Sequence, residues 1–330
     1  QRDDVNEWVI ALFDKPVTRE EKEARERDLN EVRKPVFDWG IYTVLRSQDR
    51  AIENTGSLPT TGAADPAIAS LNSETDAFIP DAWFNFEYRP EKGQHYKVQL
   101  ELVGIFGTIN DVPIGALQSK DPVVCADDAI GPDEIDNCPA SRRIYQRKRD
   151  IEQWGYALEF DASYGKLKYG FHQGGASGDS TDGFGVLDKA PIDPDRPRDQ
   201  SITNFRFDRD YIVDMIMFRE VIGSVTNALY FKPYVGYNFI EDEREAWGFK
   251  ISAIYGRALE ADATPGDDPN LGLEFDAELF ITEFDRFRWS VAYGVWFPMA
   301  AFNRLDATGR QILDEPGTAQ TLQTMIGIQF

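Results

Sequence analysis

The sequence predicts an all-β protein, a transmembrane antiparallel β-barrel, and three observations carry that prediction. Segment 321–330 alternates apolar side chains with small or polar ones up to a final phenylalanine. The same alternation recurs in series along the chain. Aromatic residues make up 13% of the sequence and gather at the ends of these segments, while no run of 18 apolar residues exists, so a helical span is excluded. A strand in lipid turns every second side chain to the acyl chains and the rest to a wet interior, which gives a period of two. A soluble β-sandwich can also end on an alternating strand. Its core has no reason to collect aromatics at strand ends, where amphipathic rings favour the lipid headgroup region.

In chain order the expected strands are 8–13, 39–46, 82–88, 96–102, 154–162, 166–170, 229–239, 247–256, 271–282, 286–297 and 321–330, about eleven in all. The first and sixth are the weakest. Segment 229–239 sets Phe231, Val235 and Tyr237 against Lys232 and Asn238, and 247–256 sets Phe249, Ile251 and Tyr255 against Lys250 and Ser252. Segment 271–282 places Leu271, Leu273, Phe275, Ala277, Leu279 and Ile281 opposite Glu274, Asp276 and Glu278. Segment 286–297 opposes Phe287, Trp289, Val291, Tyr293, Val295 and Phe297 to Arg288, Ser290, Ala292, Gly294 and Trp296. In the last strand Leu322, Thr324, Ile326, Ile328 and Phe330 share a face, and Ile326, Ile328 and Phe330 form the expected C-terminal assembly signal.

Connections alternate between tight (90–94, 165–166, 241–245, 285–286) and long (51–77, 110–148, 171–227, 258–270), as inner-side turns and outer loops do. Segment 211–223, YIVDMIMFREVIG, reads as a strand or as a helix with Ile212, Met215, Ile216 and Arg219 on one face. Strand direction is kept only if it belongs to the outer loop 171–227 and folds into the barrel mouth as a plug, where Asp214, Arg219 and Glu220 are expected to meet wall charges. Segment 18–34 is expected to be helical, with Thr18 as cap and Glu21 at the capping-box position. Its few apolar positions predict a solvated periplasmic connector rather than a partner-binding helix. On this count the first strand runs downward, so an odd number of strands is expected before Gln1 or from another polypeptide. Residues 1–330 are therefore read as one barrel domain, incomplete at its amino end.

The formal charge of −22 excludes a nucleic-acid partner, which requires clustered Lys and Arg, and suits a surface that binds cations. Charged lumen candidates are Arg46, Glu87, Arg89, Glu101, Glu159, Asp161, Lys232, Lys250, Glu274, Asp276, Glu278 and Arg288. They either line an aqueous path or lock a plug. Acids on 271–282 predict cation preference if a path exists. Cys125 and Cys138 bound a short acidic stretch and read as a disulfide-closed outer loop in an oxidising compartment, with two free thiols as the other reading. Between them Asp127, Asp128, Asp133, Glu134 and Asp136 resemble the Cys-bounded calcium loops of thrombospondin-type repeats. Ca²⁺ takes six to eight oxygen ligands, and a solvated acidic loop is the competing reading. No other cofactor is expected. Two histidines leave little for His-based catalysis or zinc binding. The run GGASGD at 174–179 lacks the Lys-Ser/Thr of a phosphate loop, and Ser177 lacks a hydrolase elbow, so the chain is not read as an enzyme.

Several motifs occur together: DWGIYTVLRSQ at 38–48, FIPDAWF at 78–84, GGASGD at 174–179, NFRFDRDYIVDMIMFREVIGSVTNALYFKP at 204–233, and the TPG and LGLEFD segments near Pro265 and Leu273. The combination resembles a family of predicted outer-membrane β-barrels of myxobacteria and related deltaproteobacteria over nearly the whole chain, most specifically at 204–233. The resemblance implies a barrel in the outer membrane of a Gram-negative cell, with membrane lipid, lipopolysaccharide and the barrel-assembly machinery as partners. It carries over no reaction and no catalytic residue. Members have a Trp- and Gly-rich amino-terminal region that this sequence lacks, in agreement with the strand count. The expected function is a porin-like channel for passive or facilitated passage of small polar solutes. The alternative is a structural or docking barrel of a multi-protein envelope complex, such as a surface machine for gliding, with a sealed lumen.

Overall fold

The computed structural model describes residues 3–52, 71–111, 123–125, 143–145, 147–180, 201–242, 245–284, 286–303 and 316–328. They form an antiparallel sheet whose strands are β1 (Asp3–Asp14), β2 (Val36–Ile52), β3 (Leu71–Tyr88), β4 (Gln94–Asp111), β7 (Arg147–Tyr164), β8 (Leu167–Ala176), β10 (Ala228–Glu241), β11 (Glu245–Ala258), β12 (Asn270–Glu283), β13 (Phe287–Pro298) and β14 (Ala319–Ile328), each paired with the next. Short β5 (Val123–Cys125) pairs with β6 (Arg143–Tyr145), and β9 (Ser201–Ile202) lies parallel to β7. Among the described residues β1 and β14 are the two ends of the strand path and are not paired with each other. All eleven expected strands are present, in the expected order. Several are longer than expected: β4 runs to Asp111 and β3 begins at Leu71, because pairing persists through polar segments where apolar alternation has stopped.

Local chemistry explains the joints. Gly165 turns β7 into β8 with φ 57°, a left-handed conformation that glycine adopts without steric cost. Pro80 and Pro233 sit inside strands but at gaps in the ladder: β3 skips a stretch of pairing to β4 between Phe78 and Asp81, and β10 skips one to β11 between Phe231 and Tyr234. A residue without an N–H cannot donate there.

The register puts one apolar face on the outside of the sheet across all strands. Trp8, Ile41, Phe106, Trp154, Val235, Trp247, Leu279, Tyr293, Leu322 and Ile326 on that face are all exposed, Leu279 at 58%. Outward aromatics lie in two rows, Phe86, Tyr164, Tyr237 and Trp289 toward the tight turns and Phe78, Phe106, Trp154 and Phe297 toward the long connections. One expected outward residue departs. Leu271 is fully buried, because a register shift between Gly256 and Arg257 turns it into the core beside Trp296 and Ala301.

The core sits on the opposite face of the sheet, under segment 203–227. That segment is not a strand: it packs Val213, Met215, Ile216, Met217, Phe218 and Val225 onto Tyr230, Ile254, Ala258 and Trp296, with a π-helical stretch at Met217–Ile222. Gly256 allows the approach, since a Cβ there would lie 2.8 Å from the Met217 methyl.

The helix α1 (Arg19–Arg27) starts at the expected cap, with Thr18 accepting from the Glu21 N–H and Glu21 accepting from the Thr18 N–H. These backbone hydrogen bonds hold the Glu21 carboxyl below its ordinary range. The helix continues into a π-helical turn, Asp28–Val32, ended by Arg33 at φ 60°. It is not merely a solvated connector. Leu29 is fully buried, and Arg25 reaches Asp38 at 2.8 Å and Glu87 at 3.2 Å on the inner face. Charge, with the single buried Leu29, docks this helix instead of an apolar stripe.

Candidate functional site: a half-plugged inner face

Eleven of the twelve charged candidates project from strands onto the inner face: Arg46 from β2, Glu87 from β3, Glu101 from β4, Glu159 and Asp161 from β7, Lys232 from β10, Lys250 from β11, Glu274, Asp276 and Glu278 from β12, and Arg288 from β13. The twelfth, Arg89, follows β3 and bonds to Glu87 (2.5 Å), Glu26 (3.3 Å) and Asn30 (2.9 Å). Most of them fall into three groups; Arg46 bonds instead to Gln48 at 2.8 Å, and Asp276 lies beside Glu274.

The first group clamps the plug by its backbone. Glu274, fully buried, accepts N–H bonds from Met215 (2.9 Å), Ile216 (2.8 Å) and Met217 (2.8 Å). These are amides at the start of the Met217–Ile222 stretch, which have no partner within the helix and draw a negative charge. Lys232 donates to the Val213 carbonyl. The Tyr211 hydroxyl donates to Glu159 (2.7 Å) and lies 2.9 Å from that of Tyr230. Burial, with Tyr230 and Glu159 adding to it, pushes the Tyr211 hydroxyl up out of any physiological titration.

Asp214 lies within reach of the wall charges Glu274 and Lys232, whereas Arg219 and Glu220 bond to each other instead of to the wall. Asp214 turns back to accept from its own loop, at Phe218 (2.9 Å) and Arg219 (3.0 Å). Burial, followed by the nearby Glu274 charge, raises its carboxyl to about 7. Arg219 pairs with Glu220 at 3.5 Å, and both are exposed. The physical reason is that buried backbone N–H groups need acceptors more than two exposed side chains need partners.

In the second group, Asp161 accepts from Tyr234 and lies 3.0 Å from His172 Nε2, and Lys250 stands 4.0 Å over the Tyr234 ring. Arg288 pairs with Glu278 at 2.9 Å. Glu159, Asp161 and His172 bring ligand atoms within 4.8 Å of one another. The sequence reading missed Tyr211, Tyr230, Tyr234 and His172, since tyrosines in an aromatic-rich chain are assigned to the rim.

The third group lines open space. A cavity of about 730 Å³ lies between α1, β2, β3, β4 and β7, with Lys15, Lys22, Arg25, Trp83, Lys97 and Glu101 in its wall and Tyr211 at its far end. A second cavity of about 230 Å³ continues beside Phe205 and Asp208 and shares Glu101, Ala157 and Tyr211 with the first. Segment 203–227 thus packs against the long-connection end of β8–β13 and leaves the β2–β7 half hollow, while another cavity of about 280 Å³, lined by Asp161, Lys168, Tyr234 and Lys250, lies between β7 and β12 toward the tight turns.

The calcium candidates Asp127, Asp128, Asp133, Glu134 and Asp136 lie outside the described residues, as do Cys138 and Phe330. The Cys125–Cys138 pairing therefore falls there too, although the backbone of Cys125 ends β5. The fold and site define a class: an all-β protein with one apolar and one charged sheet face, the charged face half occupied by its own chain. No protein-family model matches the sequence, and no curated protein matches it.

Proposed function

We propose that the chain forms the wall of an outer-membrane β-barrel and serves as a conduit for small polar solutes, with segment 203–227 and α1 narrowing it from opposite ends. The observation that carries this reading is the pair of cavities meeting at Glu101, Ala157 and Tyr211 along the unplugged half of the charged face. The apolar outer face supports the membrane setting, because soluble proteins rarely expose contiguous apolar patches beyond a few hundred Å². The resemblance to outer-membrane barrels of deltaproteobacteria agrees with it. Cation preference would rest on Glu101, Glu159 and Asp276, since Glu274 is taken by plug amides and Glu278 by Arg288.

The test is single-channel conductance of the full-length protein in a planar bilayer, with and without Ca²⁺. Steady open steps are expected. Silence from folded protein would overturn the conduit and leave the second reading, a docking barrel with a sealed lumen, which the deep burial of Met217 and Phe218 favours. Stoichiometric co-purification with envelope proteins would then be the result to seek.

A further inference from the structure

We infer that the larger cavity is a binding site for a zwitterionic solute of short-peptide length, an inference that rests on the conduit reading and names its substrate class. The cavity holds charges of both signs that form no ion pair among the described residues, although Lys97 faces Glu87 and Asp161 across the neighbouring strands. Lys15, Lys22 and Lys97 have no carboxylate partner among the described residues, and Lys15 is held instead over the rings of Phe13 and Trp83, 5.4 and 5.5 Å from their centroids. Glu101 has no hydrogen-bond or ion-pair partner among the described residues, and Glu159 accepts one bond from Tyr211. By contrast, Arg25, Asp38 and Glu87 in the same wall are mutually paired.

The free charges are also ordered along the wall. Lys97, Gln99 and Glu101 are successive inward positions of β4, so the lysine and the glutamate stand about 13 Å apart at the usual rise per residue. Lys22 lies on the helix that Arg25 docks to Asp38 and Glu87, at the Lys97 end. Glu159 stands opposite Gln99, midway along this stretch, and Tyr211, which bonds to it, also borders Glu101.

A polyanion would meet Glu101 and Glu159, and a simple cation would meet three lysines. A neutral sugar would displace water from all of them without compensating charge, which is unfavourable. A solute with a carboxylate at one end and an ammonium at the other satisfies both. An extended chain of three or four residues spans roughly 10–14 Å, which matches the separation.

The experiment uses full-length protein in liposomes with two probes, triglycine and N-acetyl-triglycine amide, which share a backbone and differ in terminal charge. Triglycine is expected to enter about three- to tenfold faster, the scale of two partly exposed ion pairs. Lys97→Gln and Glu101→Gln should each bring the ratio toward one, with both probes' entry normalised to the KCl conductance of the same variant. Equal entry of the two probes into wild-type vesicles, or a ratio unchanged in both variants, would overturn the inference and leave the conduit standing. If folded wild-type protein passes neither probe and no ions, the conduit reading fails and the inference fails with it.

Discussion

Replacing Glu274 with alanine should release the plug. The carboxylate accepts three buried backbone N–H groups at 2.8–2.9 Å. Each orphaned donor costs about 1–3 kcal/mol. Because the three share one acceptor their losses do not add fully, so the net is on the order of 4 kcal/mol. That corresponds to about a thousandfold shift toward the released loop, since each 1.4 kcal/mol is a factor of ten. Two readouts follow: trypsin cleavage at Arg206, Arg209 and Arg219, and single-channel conductance. The variant should be cut within 203–227 much faster than wild type and should show larger, noisier steps. Glu274→Gln, which keeps one acceptor oxygen, should fall between. Unchanged protease protection together with unchanged conductance in the alanine variant would refute the clamp.

The plug should also loosen with rising pH. The Asp214 carboxyl moves from its ordinary 3.8 up to about 7 when packed, so its contribution is fully present below about pH 4 and is lost progressively up to about 7, beyond which it is flat. Conductance should climb over that window, and Asp214→Asn should flatten the profile. Arg25→Ala leaves Asp38 without a guanidinium, while Glu87 keeps Arg89, so the loss falls below the roughly 3–5 kcal/mol of a broken buried pair. The helix should then detach, read as proteolysis within 15–35 with the sheet intact. Leu279→Arg places a charge on the apolar face and should cost about 2–4 kcal/mol of membrane stability, whereas Gln99→Arg on the inner face should cost little. Urea titration of the folded fraction in lipid vesicles separates the two, and equal loss in both would contradict a lipid-facing surface.

The strands were legible because period-two alternation is dictated by one dry and one wet face, and it needs no knowledge of neighbours. The eleven segments and the inward placement of Glu274, Lys250 and Arg288 follow from that alone. Segment 211–223 was legible only as an exclusion: its apolar residues fit two periods, and strand direction decided against a strand. What it contacts was not readable, because Glu274 binds main-chain amides, which every sequence has. A backbone clamp leaves no complementary side chain to find. The docking of α1 was hidden for a related reason, since Arg25 in a run of alternating acids and bases looks like any solvated charge until Asp38 and Glu87 are brought beside it.

The same distinction explains why the two halves of the inner face differ in use. On β8–β13 most wall charges bond to segment 203–227 or to one another, Glu274 to three amides, Lys232 to a carbonyl and Glu278 to Arg288, with Asp276 the exception, one buried oxygen of which has no hydrogen-bond partner among the described residues. On β2–β7 the deep charges near α1 are paired, but Lys22, Lys97 and Glu101 are not. A plug evolved only to seal would gain by covering those charges or by replacing them with apolar residues, because an unsatisfied charged wall contributes nothing to packing. Segment 203–227 instead stops at Tyr211, which touches Glu159 and goes no further. These charges would be costly in a sealed interior, which favours the proposed path over a pillar.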